Sequence, residues 1–190
     1  MSKNLIRAFV AVDVNEPSIV EKIRLTQGML ESSRTAVMKM VEPENLHLTL
    51  KFLGEIAQSK IEQVKEAMRS ISFNTFEIRL RGLGYFPGGG RVNVVWIGVE
   101  DQSGSLTRVG EELQTRLANL GFQKERFTPH LTIARVKSVR EKQRLIQLIS
   151  EHQSEDYGTQ KIEYICLKKS VLTPSGPIYS DLLKHGGNVL

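Results

Sequence analysis

Cysteine is nearly absent from this sequence of 190 residues, which contains a single one, Cys166. An internal disulfide is therefore impossible, and a reducing compartment is the natural expectation. Cys166 lies in a mainly apolar run, residues 162–167, and we interpret it as a small buried hydrophobe and not as a nucleophile. A chain of this length can bury a core without disulfide staples.

Long hydrophobic runs are missing as well. No apolar stretch approaches the roughly 20 residues that span a bilayer as a helix. Residues 1–14 lack the hydrophobic region and the cleavage site of a secretory signal. We therefore expect a cytoplasmic protein that does not interact with a membrane.

Two frequent signatures of phosphate-binding and hydrolytic sites are also not found. The glycine-rich segment 87–90 (PGGG) lies between two strand-like runs and not between a strand and a helix. It predicts a hairpin or connecting loop in the first place, and a phosphate-binding loop only in the second. The sequence has no nucleophile elbow of the kind that serves Ser/His/Asp hydrolases.

The charge balance is mildly basic, with 26 Lys and Arg against 21 Asp and Glu, a net charge of +5. This excess is compatible with a polyanionic partner such as a nucleic acid. A solvated basic surface explains the charge equally well. Hydrophobic residues make up 40% and charged residues 25%, values ordinary for a soluble protein of one domain or two small lobes.

The feature that organises the chain is a short pattern present twice, as HLTL at residues 47–50 and HLTI at residues 130–133. In a strand, the His and Thr of each copy share one face, and the two aliphatic residues share the other. Two such strands that face one cleft would supply two imidazoles and two hydroxyls. The residues concerned are His47, Thr49, His130 and Thr132.

The two copies occupy matching places in a repeated order of strand, helix, motif strand, helix and strand. Predicted strands cover residues 6–14, 38–41, 46–53, 73–83, 92–99, 130–136, 162–170 and 178–183. Predicted helices cover residues 18–30, 59–71, 105–120 and 138–150, with Ser138 as the cap of the last one. We interpret residues 1–190 as one domain with an internal duplication whose halves are approximately 1–90 and 91–190.

This constellation suits metal-free cleavage of a phosphodiester. One histidine can take a proton from water while the other protonates the leaving oxygen, since imidazole titrates near pH 6.5. Each such transfer contributes roughly 10²–10⁴-fold to the rate. The threonine hydroxyls can donate to the phosphoryl oxygens. A zinc site is the main competitor, but no third ligand clusters convincingly with the histidines, so we predict no metal and no cofactor.

At these motifs the sequence resembles the 2H phosphoesterase superfamily, and most closely its RNA 2′,3′-cyclic phosphodiesterase branch, historically called 2′-5′ RNA ligases. The stretches that carry the resemblance are 7–12 (RAFVAV), 47–54 (HLTLKFLG), 82–87 (GLGYFP), 91–98 (RVNVVWIG) and 127–135 (FTPHLTIAR). The resemblance implies a bilobal α+β fold with two antiparallel sheets flanking a central cleft and helices on the outside. It also implies metal-independent opening of a terminal 2′,3′-cyclic phosphate to a 2′-phosphate.

The resemblance assigns roles to six residues. It implies that His47 is the proton donor to the 3′ oxygen and that His130 is the proton acceptor from water. Thr49, Thr132 and Arg135 would bind the phosphate, and Phe52 would stack on a base. Simple alternation puts Phe52 and Arg135 on the face opposite to their histidines, so a bulge, a twist or a strand end must bring them into the cleft. Without one, Phe52 is a core residue and Arg135 a solvated charge.

The expected partner is RNA that ends in a 2′,3′-cyclic phosphate, for example a tRNA fragment. Within enzymes, the alternatives are 2′-5′ RNA ligation and hydrolysis of another cyclic or 2′-5′-linked nucleotide, because one acid–base pair serves both directions. The rival from another class is a non-catalytic protein that binds RNA ends. We expect a monomer, since the sequence has no long heptad pattern.

Overall fold

The structure, a computed structural model, describes residues 5–89, 91–174 and 176–188. Residues 1–4 and 189–190, at the ends of the predicted domain, lie outside the described residues. Within the described part the helices are α1 (Pro17–Ser32), α2 (Gln58–Arg69), α3 (Ser105–Ala118) and α4 (Lys142–Glu151). The strands are β1 (Leu5–Asp13), β2 (Ala36–Met40), β3 (His47–Ala57), β4 (Phe76–Gly88), β5 (Arg91–Glu100), β6 (His130–Val139), β7 (Asp156–Ile162), β8 (Tyr164–Thr173) and β9 (Gly176–Gly186).

The strands pair antiparallel in the order β7-β4-β5-β6-β3-β1-β8-β9, and β2 pairs with β6. Hydrogen bonding divides this order into two extensive groups, β7-β4-β5-β6 and β3-β1-β8-β9. The groups meet between the two motif strands, where the register joins a single pair, Leu48 and Leu131. The predicted α+β fold class is confirmed, and this contact joins the two predicted antiparallel sheets into one curled sheet of nine strands.

The two sheets do not follow the two halves of the chain. Strand β4 belongs to the first half but pairs with β5 and β7. Strand β8 belongs to the second half but pairs with β1. Each half therefore contributes a strand to the sheet built around the other half's motif. The origin of the halves by duplication stays a prediction.

One face of the curled sheet carries the hydrophobic core, and the helices cover that face. The buried apolar side chains of the helices are Ile19, Ile23 and Leu30 of α1, Ile61, Val64 and Met68 of α2, Leu106, Val109, Leu113 and Leu117 of α3, and Leu145 and Ile149 of α4. They pack in one cluster with alternate strand residues such as Val10, Leu48 and Leu131. The opposite, uncovered face is therefore where the remaining strand side chains project.

The structure corrects three details of the predicted elements. Ser138 is not a helix cap but lies in β6, because β2 continues the pairing of that strand as far as Val139. The helix α4 begins only at Lys142. Strand β7, which the periodicity did not indicate, fills the sheet edge beside β4. The glycine-rich segment closes the β4–β5 hairpin, as predicted, although its last residue, Gly90, lies outside the described residues.

None of the helices in the described ranges has both the length and the apolar content needed to cross a membrane.

Candidate active site

The two motif strands lie side by side and antiparallel at the junction of the sheets. Leu48 and Leu131 are fully buried in the core and are cross-strand partners. The residues on either side of each leucine therefore project to the uncovered face. Continuing the antiparallel register by one residue places His47 beside Thr132 and Thr49 beside His130, with strands about 4.8 Å apart. The residues so brought together, all half-buried, are His47, Thr49, His130 and Thr132.

Both histidines are held in the same tautomer by the backbone two residues before them. Nδ1 of His47 lies 2.7 Å from the carbonyl oxygen of Asn45, and Nδ1 of His130 lies 2.8 Å from that of Thr128. A carbonyl can only accept a hydrogen bond, so each Nδ1 carries the proton. Nε2 is then the basic nitrogen of the neutral ring and the donor of the charged one. Each imidazole can exchange one proton at Nε2.

A β-bulge in β3 brings Phe52 to the face of His47. The pairing with β1 skips Leu50, so Leu50 and Lys51 are both buried in succession and the alternation is reversed beyond them. Phe52 is 59% exposed, and its ring centroid lies 6.2 Å from that of Phe9, a neighbour of the His47 ring. The interpretation of Phe52 as a core residue is therefore wrong.

The second motif strand contains the same irregularity at the same motif position. The pairing of β6 with β5 skips Ile133, and Ile133 and Ala134 are both buried in succession. The carbonyl oxygen of Ile133 accepts hydrogen bonds from the backbone of Val41 at 2.9 Å and from the Gln27 side chain at 2.9 Å, which stabilises the bulge. Beyond it Arg135 is exposed and acquires the parity of the motif histidine.

Lys51, which is buried on the core side of β3, connects the first motif strand to the segment that precedes the second. Its buried ammonium donates to the carbonyl oxygen of Gln123 at 2.6 Å and lies 2.9 Å from the carboxylate of Glu125. The side chain of Gln114 binds both backbone groups of Glu125. These contacts fix the segment that precedes β6 and leads to His130.

The surroundings of His47 are aromatic and charged. Its ring centroid lies 4.9 Å from that of Phe9 and 5.4 Å from that of Tyr179 in β9, which meets it edge-on. Burial lowers the pKa of His47 below its usual 6.5. The Asn45 carbonyl and the Asp13 carboxylate oppose this lowering only in part.

The environment of His130 is aromatic as well. Its ring lies 5.0 Å from Phe86, edge-on, and 6.5 Å from Trp96. The indole packs onto the backbone of Gly84, where a Cβ atom would approach the ring to 2.2 Å. Only glycine permits this approach, so Gly84 determines where the aromatic wall beside His130 stands.

Lys168 forms a charge network beside His47. Its ammonium lies 2.9 Å from the Asp13 carboxylate and 2.7 Å from that of Asp181. Burial acts to lower the pKa of Lys168, but the hydrogen bonds with Asp181 and Asp13 outweigh it, and the pKa is raised. The Cys166 thiol lies 3.8 Å from Asp13 and is buried, as expected, and burial raises its pKa to about 12. Asp13, Cys166 and Asp181 could act as metal ligands, but Lys168 already supplies a positive charge there.

Known proteins resemble this chain in sequence and in fold. A sequence model described as the AKAP7 2′5′ RNA ligase-like domain matches residues 8–180. The chain is 42% identical over 177 residues to an RNA 2′,3′-cyclic phosphodiesterase of Archaeoglobus fulgidus, covering 93% of this chain and 97% of the relative.

The chain belongs to the 2H phosphoesterase family. A second relative, named RNA 2′,3′-cyclic phosphodiesterase in Methanothermobacter thermautotrophicus, is 39% identical over 180 residues, or 93% of this chain and 96% of the relative. Among solved structures, TT0787 of Thermus thermophilus superposes with a TM-score of 0.80 at 27% identity, covering 95% of this chain and 97% of the other. The predicted family is thereby confirmed.

Three further residues of this 2H phosphoesterase lie at the cleft, and the sequence pattern did not indicate any of them. Tyr179, Asp13 and Lys168 come from three different strands and surround His47. The alternation of β1 beyond Phe9 could have indicated Asp13. Nothing local distinguishes Tyr179, because only the register of β9 against β8 brings it to the cleft.

Proposed function

We propose that this protein is an RNA 2′,3′-cyclic phosphodiesterase, which hydrolyses a terminal 2′,3′-cyclic phosphate to a 2′-phosphomonoester. The observation that supports it best is the pair of histidines on one face of the sheet, each anchored through Nδ1, which leaves Nε2 to exchange a proton. The names of the relatives at 42% and 39% identity agree with this activity.

The reaction is an in-line displacement at phosphorus. Nε2 of His130 takes a proton from water as the water oxygen attacks the phosphorus atom. The bond between phosphorus and the 3′ oxygen breaks, and Nε2 of His47 donates its proton to that oxygen. The phosphate stays on the 2′ oxygen, and the two histidines have exchanged protonation states, which solvent restores.

Two hydrogen-bond donors and one cation on the cleft face stabilise the negative charge of the phosphate. The hydroxyls of Thr49 and Thr132 donate to the non-bridging oxygens, and Arg135 adds a guanidinium. A bound phosphate favours the charged imidazolium next to it. Binding of substrate therefore counteracts the burial that lowers the pKa of His47 in the free protein. With these groups the chemistry needs no metal and no cofactor.

The nucleoside that carries the cyclic phosphate lies on the side of His47. The 3′ oxygen leaves toward this histidine, and the ring of Phe52 is exposed on the same sheet. Stacking of a base on an aromatic ring is worth about 1–3 kcal/mol and tolerates every base. Phe52 thus supplies affinity without selecting a sequence. We further propose a cytoplasmic monomer that acts on RNA ends such as those of tRNA fragments.

Ligation is the second candidate, because the matching family description refers to 2′5′ RNA ligases. The same displacement, with a 5′-hydroxyl in place of water as the nucleophile, joins two RNA ends through a 2′-5′ phosphodiester. His130 then takes the proton of the 5′-hydroxyl and His47 donates to the 3′ oxygen as in hydrolysis, so no further residue is needed. Water at its bulk concentration favours hydrolysis, so we assign hydrolysis as the main reaction.

The test is product analysis on a short RNA that ends in a 2′,3′-cyclic phosphate, in the presence of EDTA. A product one water heavier with its phosphate on the 2′ oxygen supports the proposal. A joined RNA product would favour ligation. Turnover only after a divalent metal is added would contradict the metal-free mechanism, and tight binding without any turnover would favour the role as a binder of RNA ends.

A further inference from the structure

Two cleft residues outside the motifs, Arg7 and Tyr179, lie on the sheet that carries His47. Arg7 is two residues before Phe9 in β1, and the strand alternation therefore directs both toward the cleft. The register of Ala8 with Lys169, continued by one residue, sets Arg7 opposite Ser170, which pairs with Tyr179. Arg7 and Tyr179 therefore lie in one row across the sheet.

The ring of Tyr179 contacts the rings of Phe9 and His47. Its centroid lies 5.0 Å from that of Phe9 and 5.4 Å from that of His47, and both contacts are edge-on. Its hydroxyl has no hydrogen-bond partner among the described residues. Burial raises the pKa of Tyr179, while Arg135 and Arg7 both act to lower it, so the phenol lies in the field of two guanidinium groups.

These two arginines differ from the other cations of the cleft in having no acid to neutralise them. Lys168 is paired with Asp13 and Asp181. In the part of the chain that the structure describes, neither Arg7 nor Arg135 lies within ion-pair distance of a carboxylate. Glu55 is the cross-strand partner of Arg7 but forms no ion pair with it. The result is a positive region with one hydroxyl donor, open to solvent, next to His47.

We propose that Arg7 and the Tyr179 hydroxyl form a second phosphate subsite, adjacent to the cyclic phosphate that Arg135 contacts. Its ligand is the phosphodiester on the 5′ side of the nucleotide whose cyclic phosphate lies between the histidines. Guanidinium and hydroxyl donors are the groups that proteins most often direct at backbone phosphates. This inference rests on the proposed function and identifies the residues by which the site would prefer an RNA chain to a free nucleoside cyclic phosphate.

The position of this second phosphate subsite agrees with the chemistry proposed at the two histidines. The 3′ oxygen leaves toward His47, and the base lies toward Phe52, so the ribose lies over β3 and β1. An RNA chain that continues from the 5′ carbon along the same sheet reaches β8 and β9. Tyr179 and Arg7 are cleft-facing polar groups of this region that are not engaged in the Lys168 network.

The experiment compares two substrates that differ only at the 5′ position. One is adenosine 2′,3′-cyclic phosphate with a free 5′-hydroxyl, and the other carries a methyl phosphodiester on the 5′ oxygen. The ratio of their kcat/KM values measures the contribution of the second phosphate, without a second base. We expect the wild type to prefer the diester by about tenfold, the worth of one charge-assisted hydrogen bond.

Two variants test the residues, and a third serves as a control. Arg7→Gln removes the charge, and Tyr179→Phe removes the hydroxyl but keeps the ring against His47. Each should reduce the preference ratio severalfold, whatever it does to the absolute rates. Arg144→Gln removes a similarly charged, exposed arginine from α4 and should leave the ratio as in the wild type.

The outcomes are distinguishable from failure of the proposed function. A wild type that hydrolyses neither substrate refutes the phosphodiesterase activity, and the subsite with it. A wild type that hydrolyses both equally well refutes the subsite alone. The subsite is also refuted if Arg7→Gln lowers both rates by the same factor, because the arginine would then act on the cyclic phosphate or on folding.

Discussion

Lys168 offers the sharpest test of how the cleft is held together. It is 10% exposed in its side chain and lies within hydrogen-bond distance of two carboxylates, at 2.9 Å from Asp13 and 2.7 Å from Asp181. The variant Lys168→Met keeps most of the volume and removes the charge, which leaves two half-buried carboxylates next to each other. Removing one partner of a buried ion pair costs about 3–5 kcal/mol. Because both carboxylates keep partial contact with solvent, we expect a loss of about 3 kcal/mol in the free energy of unfolding.

The assay is urea-induced unfolding at neutral pH, with Arg24→Met as the matched control. Arg24 pairs with Glu21 at 2.8 Å, but its side chain is 65% exposed. An exposed pair of this kind contributes about 0.5 kcal/mol or less. Adding Asp13→Asn to Lys168→Met should restore part of the stability, because one carboxylate then remains alone.

The difference in unfolding free energy between the wild type and Lys168→Met should also depend on pH, in a direction that the pKa of Lys168 determines. The pKa of Lys168 is raised in the folded state, so its pairing stabilises fully below the unfolded pKa of about 10.4. The contribution is lost as the pH rises through the higher folded value. The difference between wild type and Lys168→Met should therefore shrink above about pH 10.4. A variant that loses less than about 1 kcal/mol, no more than a surface pair is worth, would refute this account of the network.

Further predictions concern the two sides of the cleft. The Asp13 carboxylate raises the pKa of His47, so Asp13→Asn should shift the alkaline limb of the kcat/KM profile to lower pH, and an unchanged limb would contradict His47 as the proton donor. Gly84→Ala places a Cβ atom 2.2 Å from the Trp96 ring, and we expect a loss of about 1–3 kcal/mol in thermal unfolding, with altered indole fluorescence. Phe52→Ala should leave the unfolding midpoint nearly unchanged but weaken binding of RNA ends by about 1–3 kcal/mol in a titration, whereas a core residue would give the reverse.

The sequence alone was sufficient to predict the two motifs and the strand face on which their side chains lie. A repeated His-x-Thr on an apolar strand identifies four side chains that share a face, and Leu48 and Leu131 are indeed their buried counterparts. Apart from β7, the order of helices and strands followed from periodicity because most elements have one apolar and one polar face. The family followed from residues spread through most of the chain, and the comparisons confirm it.

What the sequence could not supply depends on pairing between distant strands. The bulges at Leu50 and Ile133 are visible only as skipped partners in the register, and they decide where Phe52 and Arg135 point. The extension of β6 through Ser138 depends on β2, which is far away in the chain. Local propensity contains no information about such partners, so the surroundings of each histidine had to come from the structure.

The roles of the histidines are the central claim, and a kinetic cycle tests it most directly. The rates to compare are those of the wild type, His47→Ala, His130→Ala and the double variant on an RNA with a 2′,3′-cyclic phosphate end, in EDTA. If both Nε2 atoms act on one phosphate in one step, each single variant should lose about 10²–10⁴-fold in kcat, and the double variant hardly more than the worse single one. A single variant that keeps its rate within about tenfold of the wild type, or losses that multiply in the double variant, would contradict the paired acid–base mechanism.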